Sequence, residues 1–156
     1  MTQVLYVKGD IFTSGAQTIV NPVNCRGVMG AGLALAFKQR YPEMFAAYVQ
    51  ACQNSELRIG QLMLYRTGQP WILNFPTKDH WRAPAKLAYI EQGLHFFATN
   101  YRQMGIYNIA FPKLGAGLGG LFWNDVGPLM ARYLAPLDCA TSIYIEEGDA
   151  TYSETE

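Results

Sequence analysis

Charge, cysteine and long apolar runs are all scarce in this sequence, and each shortage excludes a class of protein. Charged residues make up 15% of the 156 residues and balance to a formal net charge of zero, whereas a general nucleic-acid coat protein is normally basic. No apolar run approaches the length of a membrane span, so no association with a membrane is expected. The three cysteines, Cys25, Cys52 and Cys139, are odd in number and widely spaced, which is typical of reduced thiols in a cytoplasmic protein.

Clusters of metal-binding residues and internal repeats are missing as well. The sequence has two histidines and no Cys-x-x-Cys pair, so no metal site is expected. Cys25 has no assigned base and is expected to pack rather than to act as a nucleophile. Half of the residues are hydrophobic, which is typical of a globular chain, and the length suits one domain. We therefore expect a monomeric domain over residues 1–146, followed by an acidic tail or the start of a linker over residues 147–156.

Strand and helix patterns alternate through much of the chain. Short apolar runs predict strands, and apolar residues that recur every three or four positions predict helices, most clearly over residues 84–102. Residues 62–75 predict two strands joined by a hairpin-like linker, which interrupts the alternation. The pattern therefore predicts an α/β fold of three layers, in which helices cover both faces of a mixed central sheet.

Two glycine-rich loops each follow a predicted strand and precede a predicted helix. The first loop spans residues 27–32 and the second spans residues 112–120. Glycine lets backbone N–H groups converge on an anion, and a helix N-terminus adds partial positive charge. Two such loops suit a diphosphate better than one phosphate, with ordinary tight turns as the alternative. Gly115, Gly117 and Gly120 also fit G-x-G-x-x-G, but only one helix and one strand follow, which excludes a dinucleotide-binding βα series.

Residues 74–82 form the densest polar cluster, and they follow a predicted strand, where α/β folds place their sites. Taken alone, this cluster is equally typical of a solvated loop, in which Lys78 is a surface lysine and His80 has no catalytic task. Trp81 and Arg82 could stack on an unpaired base or contact a phosphate, with packing of the indole in the core as the alternative.

Four motifs resemble, in order, those of the macrodomain family. They are VKGDI at residues 7–11, IVNPVN at 19–24, GVMGAGLA at 27–34 and PKLGAGLGG at 112–120. Their order and spacing match the family across nearly the whole chain, whereas each motif alone is weak.

Two short segments of the sequence resemble the lysine-dependent glycohydrolase branch of the family. Residues 29–34 and the pair Thr77-Lys78 resemble that branch, and residues 115–123 look most like the antitoxins of the DarG type, which act on ADP-ribosylated DNA. The protein-directed relatives carry Asp where this chain has Gly119. The resemblance therefore implies a catalytic lysine in this chain but no acid paired with it.

The resemblance implies an ADP-ribose-binding domain that cleaves the N-glycosidic bond at the distal ribose. Lys78 would be the catalytic residue, either attacking the anomeric carbon or, as an ammonium, protonating or stabilising the departing base. The residues implied to bind the ligand are Gly9, Asp10, Ile11, Asn21, Asn24, Met29, Gly30, Ala31, Gly32, Leu33, Thr77, Pro112, Leu114, Gly115, Ala116, Gly117, Leu118 and Gly119. The candidates for contact with the substrate base are His80, Trp81 and Arg82.

Three functions stay open on this resemblance. The first is release of ADP-ribose from a thymidine base in single-stranded DNA, which would counteract a DNA-modifying toxin of the DarT type. The second is hydrolysis of ADP-ribosylated protein carboxylates or of O-acyl-ADP-ribose, and the third is binding without catalysis. Lys78 disfavours the third, while Gly119 with the Trp81-Arg82 pair favours DNA over protein. No cofactor is expected, since ADP-ribose would be the product and NAD has no part.

Overall fold

The computed structural model describes residues 4–153, and within them the strands form one mixed sheet. The strands are β1 (Val4–Lys8), β2 (Thr18–Val23), β3 (Met63–Tyr65), β4 (Trp71–Pro76), β5 (Asn108–Phe111) and β6 (Ala140–Ile145). Their order is β1-β6-β5-β2-β4-β3, and β3 runs antiparallel to β4 while the other neighbours are parallel. The carboxyl ends of the parallel strands therefore meet at one edge, where α/β sheets bind their ligands.

Helices cover both faces of this sheet. They are α1 (Gly32–Arg40), α2 (Pro42–Gln53), α3 (Leu87–Met104) and α4 (Trp123–Leu134), with a 3-10 helix at Ile11–Thr13. Side chains of α1 and α2 fill one hydrophobic cluster, and side chains of α3 and α4 fill the other. The three-layer α/β/α fold with a mixed sheet is thus confirmed. None of the four α-helices within residues 4–153 combines the length and apolar character that a bilayer-spanning helix needs.

Helix α3 follows the predicted periodicity but begins later than expected. Ile90, Leu94 and Phe97 are fully buried, and the helix ends at Gly105, whose left-handed φ of 79° suits glycine. The predicted start near residue 84 is wrong, because residues 84–86 are not helical and the Ala85 N–H donates to a carbonyl oxygen of the second glycine-rich loop.

Gly93 allows a close approach of α3 to the sheet. A Cβ at this position would overlap the ring of Phe75 on β4, and both residues are buried. We expect Gly93→Ala to lower the free energy of unfolding by about 1–3 kcal/mol, because overpacking outweighs the better helix propensity of alanine. Denaturant unfolding measures this, with the exposed Gln103→Ala on the same helix as a control. Unchanged stability of Gly93→Ala would contradict the close approach.

The segment after β6 packs against α4. The indole N–H of Trp123 donates to the carbonyl oxygen of Ala150 at 2.8 Å, and the ring of Tyr152 meets that indole edge-on at 6.0 Å between centroids. The Tyr152 hydroxyl also lies 3.2 Å from the Asn124 side-chain oxygen. The described part of the predicted tail, residues 147–153, is therefore anchored to α4 through Ala150 and Tyr152, while the domain boundary at residue 146 stays a prediction.

Candidate active site

A cavity of about 880 Å³ lies at the carboxyl edge of the sheet, a size that suits a dinucleotide-like ligand. The loops after β2, β4 and β5 line it together with the end of β6. The predicted site residues that it brings together are Asn24, Gly30, Ala31, Gly32, Leu33, Thr77, Lys78, Trp81, Pro112, Gly115, Ala116, Gly117, Leu118 and Gly119. The lining residues that the sequence did not single out are Pro22, Val23, Val28, Ala34, Lys113, Tyr144 and Glu146.

Asn24 fixes the shape of the first glycine-rich loop. Its side-chain N–H donates to the carbonyl oxygen of Val28 at 2.7 Å. Its side-chain oxygen accepts from the N–H of Arg26 at 2.9 Å and from the hydroxyl of Tyr48 at 3.0 Å. Since both ends of the amide are engaged, Asn24 ties the loop to itself and to α2, so the loop is shaped before any ligand enters.

The amino end of α1 lies in the wall of the cavity. Residues 30–34 line the cavity, and α1 begins at Gly32 after Ala31, which caps the helix without a side-chain hydrogen bond. The first N–H groups of a helix have no partner within the helix, and the helix dipole favours negative charge at this end. This end of the cavity is therefore suited to a phosphate or diphosphate group.

The second glycine-rich loop closes on itself and on the segment before α3. The carbonyl oxygen of Gly115 accepts from the N–H of Leu121 at 3.0 Å, and that of Gly119 accepts from the N–H of Ala85 at 3.0 Å. A Cβ at Gly119 would lie 2.5 Å from the Gly115 oxygen and 2.9 Å from the Cβ of Ala85. No side chain fits at position 119 while the loop keeps this form.

Lys78 lies in the cavity wall, on backbone that is anchored on both sides. The N–H of Thr77 donates to the carbonyl oxygen of Val23 at 2.9 Å, and the carbonyl oxygen of Asp79 accepts from the N–H of Cys25 at 3.1 Å. The carboxylate of Asp79 is paired with Arg26 at 3.0 Å. Within residues 4–153 the Lys78 ammonium forms no ion pair, so its charge is available to a ligand.

The segment after Lys78 forms an exposed stack beside the cavity. The rings of His80 and Trp81 lie 5.2 Å apart and nearly parallel, and the Arg82 guanidinium lies 4.4 Å from the centre of the indole. The N–H of Arg82 donates to the His80 Nδ1 at 3.1 Å. Trp81 is 43% exposed and lines the cavity, so the alternative prediction, that this indole packs in the core, is wrong. His80 and Arg82 lie outside the lining, and their contact with a base stays a prediction.

Six of the implied ligand contacts lie outside the cavity lining: Gly9, Asp10, Ile11, Asn21, Met29 and Leu114. The Asp10 side chain accepts from the N–H of Phe12 and caps the 3-10 helix. Asn21 is fully buried, and its side-chain N–H donates to the side-chain oxygen of Asn74 at 3.0 Å across the β2–β4 pair. Direct contact with a ligand stays a prediction for each of these six residues.

Lys113 is a lining residue whose charge is already neutralised. Its ammonium lies 2.8 Å from the carboxylate of Asp149 and 3.8 Å from that of Glu146. The hydrogen bond from Lys113, together with the backbone N–H of Glu146, holds the pKa of Asp149 below its usual range. Lys113 lies in the second glycine-rich loop that the sequence predicts, whereas the one signal in the sequence for Glu146 is its place directly after the last predicted strand, at the ligand-binding edge.

Cys25 packs, as the sequence predicts. It is half-buried, and burial together with the nearby Asp79 carboxylate raises the pKa of its thiol to about 11. A thiol with that pKa is protonated near neutral pH and is a poor nucleophile. Lys78 is thus a better candidate than Cys25 for chemistry in this wall of the cavity.

Comparison with known proteins gives consistent matches. The family model of the Macro domain matches residues 20–130. The DNA ADP-ribosyl glycohydrolase of Mycobacterium tuberculosis is 50% identical over 127 residues, which are 79% of this chain and 36% of that protein. The chain thus spans little more than a third of this curated relative.

Two solved structures are similar over nearly all of the chain. The macrodomain of Mycobacterium tuberculosis DarG has a TM-score of 0.88 and 46% identity, covering 92% of this chain and 98% of that one. Thermosipho africanus DarTG, in complex with ADP-ribose, has a TM-score of 0.90 and 38% identity, covering 97% of this chain and 44% of that one. Since the family model matches residues 20–130, more than half of the chain, and the fold is that of a solved macrodomain, the chain belongs to the macrodomain family.

Proposed function

We propose that the chain is an ADP-ribosyl glycohydrolase that releases ADP-ribose from a thymidine base of ADP-ribosylated DNA. The observation that carries this proposal is the position of Lys78, which forms no ion pair within residues 4–153 and lies in the wall of a cavity that two glycine-rich loops also line. The 50% identity to a protein named DNA ADP-ribosyl glycohydrolase supports the same activity.

ADP-ribose fits the cavity by its chemistry. The diphosphate would lie between the two glycine-rich loops, against the amino end of α1, where backbone N–H groups and the helix dipole favour negative charge. The distal ribose would then lie toward Thr77 and Lys78, which line the same cavity. The likeness to DarTG in complex with ADP-ribose supports this ligand.

The bond to be broken joins the anomeric carbon of the distal ribose to the base nitrogen. Glycosidases usually place two carboxylates around such a carbon. Among the described residues that line the cavity, Glu146 is the one with a carboxylate, and it lies beside Lys113. Lys78 therefore supplies the catalysis, as a nucleophile or as an ammonium that protonates or stabilises the departing base, and water completes the hydrolysis.

The geometry at Gly119 favours DNA over protein as the substrate. The protein-directed relatives carry Asp here, but a Cβ at this position would lie 2.5 Å from the Gly115 carbonyl oxygen. A carboxylate cannot pair with Lys78 from position 119 while the loop keeps its form. The exposed indole of Trp81 at the cavity suits an unpaired base better than a flexible carboxylate side chain.

The biological setting follows from this chemistry. A DarT-type toxin would attach the ADP-ribose that this chain removes, and the likeness to DarTG supports that pairing. We place the activity in the cytoplasm, in keeping with the three free cysteines, and we propose that the domain acts as a monomer without a cofactor.

The test is release of free ADP-ribose from two substrates: single-stranded DNA ADP-ribosylated on thymidine, and a protein ADP-ribosylated on glutamate. We expect release from DNA and none from protein. Release from protein alone would move the chain to the protein-directed branch. Binding of ADP-ribose without release from either substrate would establish a non-catalytic reader.

A further inference from the structure

We infer that the protein holds the unpaired DNA strand next to the modified nucleotide on a surface beside the cavity mouth. This surface, the strand rim, consists of Trp81, Arg82, Lys86, Leu118 and Phe122. The inference rests on the proposed function, and it adds two residues outside the cavity, Lys86 and Phe122, that determine the preference for a strand over a single nucleoside.

Exposed apolar side chains concentrate at this place. The large apolar residues that are exposed within residues 4–153 are Leu5, Trp81, Leu87, Tyr107, Leu118 and Phe122. Four of these six lie on residues 80–87 and 117–122, two segments joined by the Ala85–Gly119 hydrogen bond. Leu118 is 69% exposed and Phe122 is 75% exposed, although burial of such side chains is favourable. Exposed apolar side chains concentrated on two joined segments are a feature of binding sites.

The same segments carry positive charge without a counterion. Arg82 and Lys86 in these segments form no ion pair within the described part of the chain, and neither does Lys78 just before them, while the neighbouring carboxylate of Asp79 is bound by Arg26. The whole chain has a net charge of zero, so this positive charge is local. It complements the phosphates of a strand that leaves the cavity.

The combination of rings and cations indicates an unpaired nucleic acid rather than a protein or a duplex. The planar Trp81–Arg82 stack and the uncovered ring of Phe122 offer faces on which bases can stack. The faces of duplex bases are covered by their neighbours, so only an unpaired strand can use these surfaces. Phe122 directly precedes α4 in extended conformation, so its ring is held at the start of a helix.

The test compares two substrates in which the same glycosidic bond joins ADP-ribose to thymidine. They are ADP-ribosylated thymidine nucleoside and a short single-stranded oligonucleotide with the same modified thymidine, each turned over by the wild type, Phe122→Ala and Lys86→Gln. Tyr107→Ala is the matched control, because Tyr107 is 68% exposed but precedes β5 at the opposite edge of the sheet. Thermal melting checks that each variant is folded.

We expect the wild type to have a higher kcat/KM on the oligonucleotide than on the nucleoside. Phe122→Ala and Lys86→Gln should each lower kcat/KM on the oligonucleotide by about tenfold, while the nucleoside rate stays unchanged. Tyr107→Ala should change neither rate.

Two other outcomes overturn the inference and are distinguishable. If both variants keep the wild-type rate on the oligonucleotide, or if both substrates react equally in the wild type, the strand rim does not bind DNA and the proposed glycohydrolase activity still holds. If neither DNA substrate releases ADP-ribose, the proposed function itself fails and the inference fails with it.

Discussion

Lys78→Ala is expected to abolish the release of ADP-ribose from modified DNA while leaving the affinity for free ADP-ribose nearly unchanged. The lysine lies in the wall of the cavity but outside the glycine-rich loops that would hold the diphosphate. Loss of a general acid or of a positioned charge typically costs about 10²–10⁴-fold in rate. Single-turnover release and calorimetric titration with ADP-ribose measure the two quantities separately.

Lys78→Arg separates the two chemical roles. A guanidinium keeps the positive charge but does not act as a nucleophile, because it stays protonated. If Lys78 stabilises the departing base through its positive charge alone, the arginine variant should keep part of the activity; if it attacks the anomeric carbon or donates a proton, arginine should be as inactive as alanine. Lys38→Ala is the control, because Lys38 is a lysine of α1 that does not line the cavity. This variant should behave as wild type. Wild-type turnover in Lys78→Ala would remove this residue from the mechanism.

Gly119→Ala is expected to weaken ADP-ribose binding by about tenfold or more and to lower the melting temperature. The added Cβ would lie 2.5 Å from the Gly115 carbonyl oxygen and 2.9 Å from Ala85, and the first of these is backbone that cannot rotate away. Overpacking of this kind costs about 1–3 kcal/mol, and each kcal/mol lowers the melting temperature of a domain this size by about 2–4 °C.

Gly117→Ala is the matched control for stability. It lies in the same loop, its backbone does not have a positive φ, and a Cβ there would have open space around it. Its melting temperature should stay close to that of the wild type. Equal melting temperatures for Gly119→Ala and Gly117→Ala would show that the loop adapts, and Gly119 would then say nothing about the choice between DNA and protein.

The sequence predicts those parts of the fold and site that depend on local patterns. Leu94 and Phe97 on α3 are buried as the helical period requires, and both glycine-rich loops line the cavity. Lys78 is assigned because the pair Thr77-Lys78 resembles the lysine-dependent branch of the family, since the polar cluster alone is equally typical of a solvated loop. These features need only neighbouring residues to be recognised.

Other parts depend on contacts that no local pattern encodes. Asn21 and Asn24 belong to one motif, but β2 ends at Val23, so Asn21 is buried in the sheet while Asn24 reaches the cavity. Strand ends predicted from sequence are uncertain by a few residues, enough to exchange these two roles. The pairing of Lys113 with Asp149 is likewise invisible in the sequence, since it needs the packing of the last segment against the loop after β5.

The buried amide pair of Asn21 and Asn74 bears on how the chain avoids misassembly. The two residues face each other across β2 and β4, and the amide N–H of Asn74 also lies 3.2 Å from the sulfur of Met63 on the neighbouring β3. A shift of either strand by one residue would turn one amide to the opposite face and leave both without their partner in a dry interior, which costs several kcal/mol. An all-apolar pair would tolerate that shift. The amides thus discriminate against slipped pairings of the central strands. They thereby keep the ends of β2 and β4 level with each other, and Asn24 and Lys78 extend from these ends.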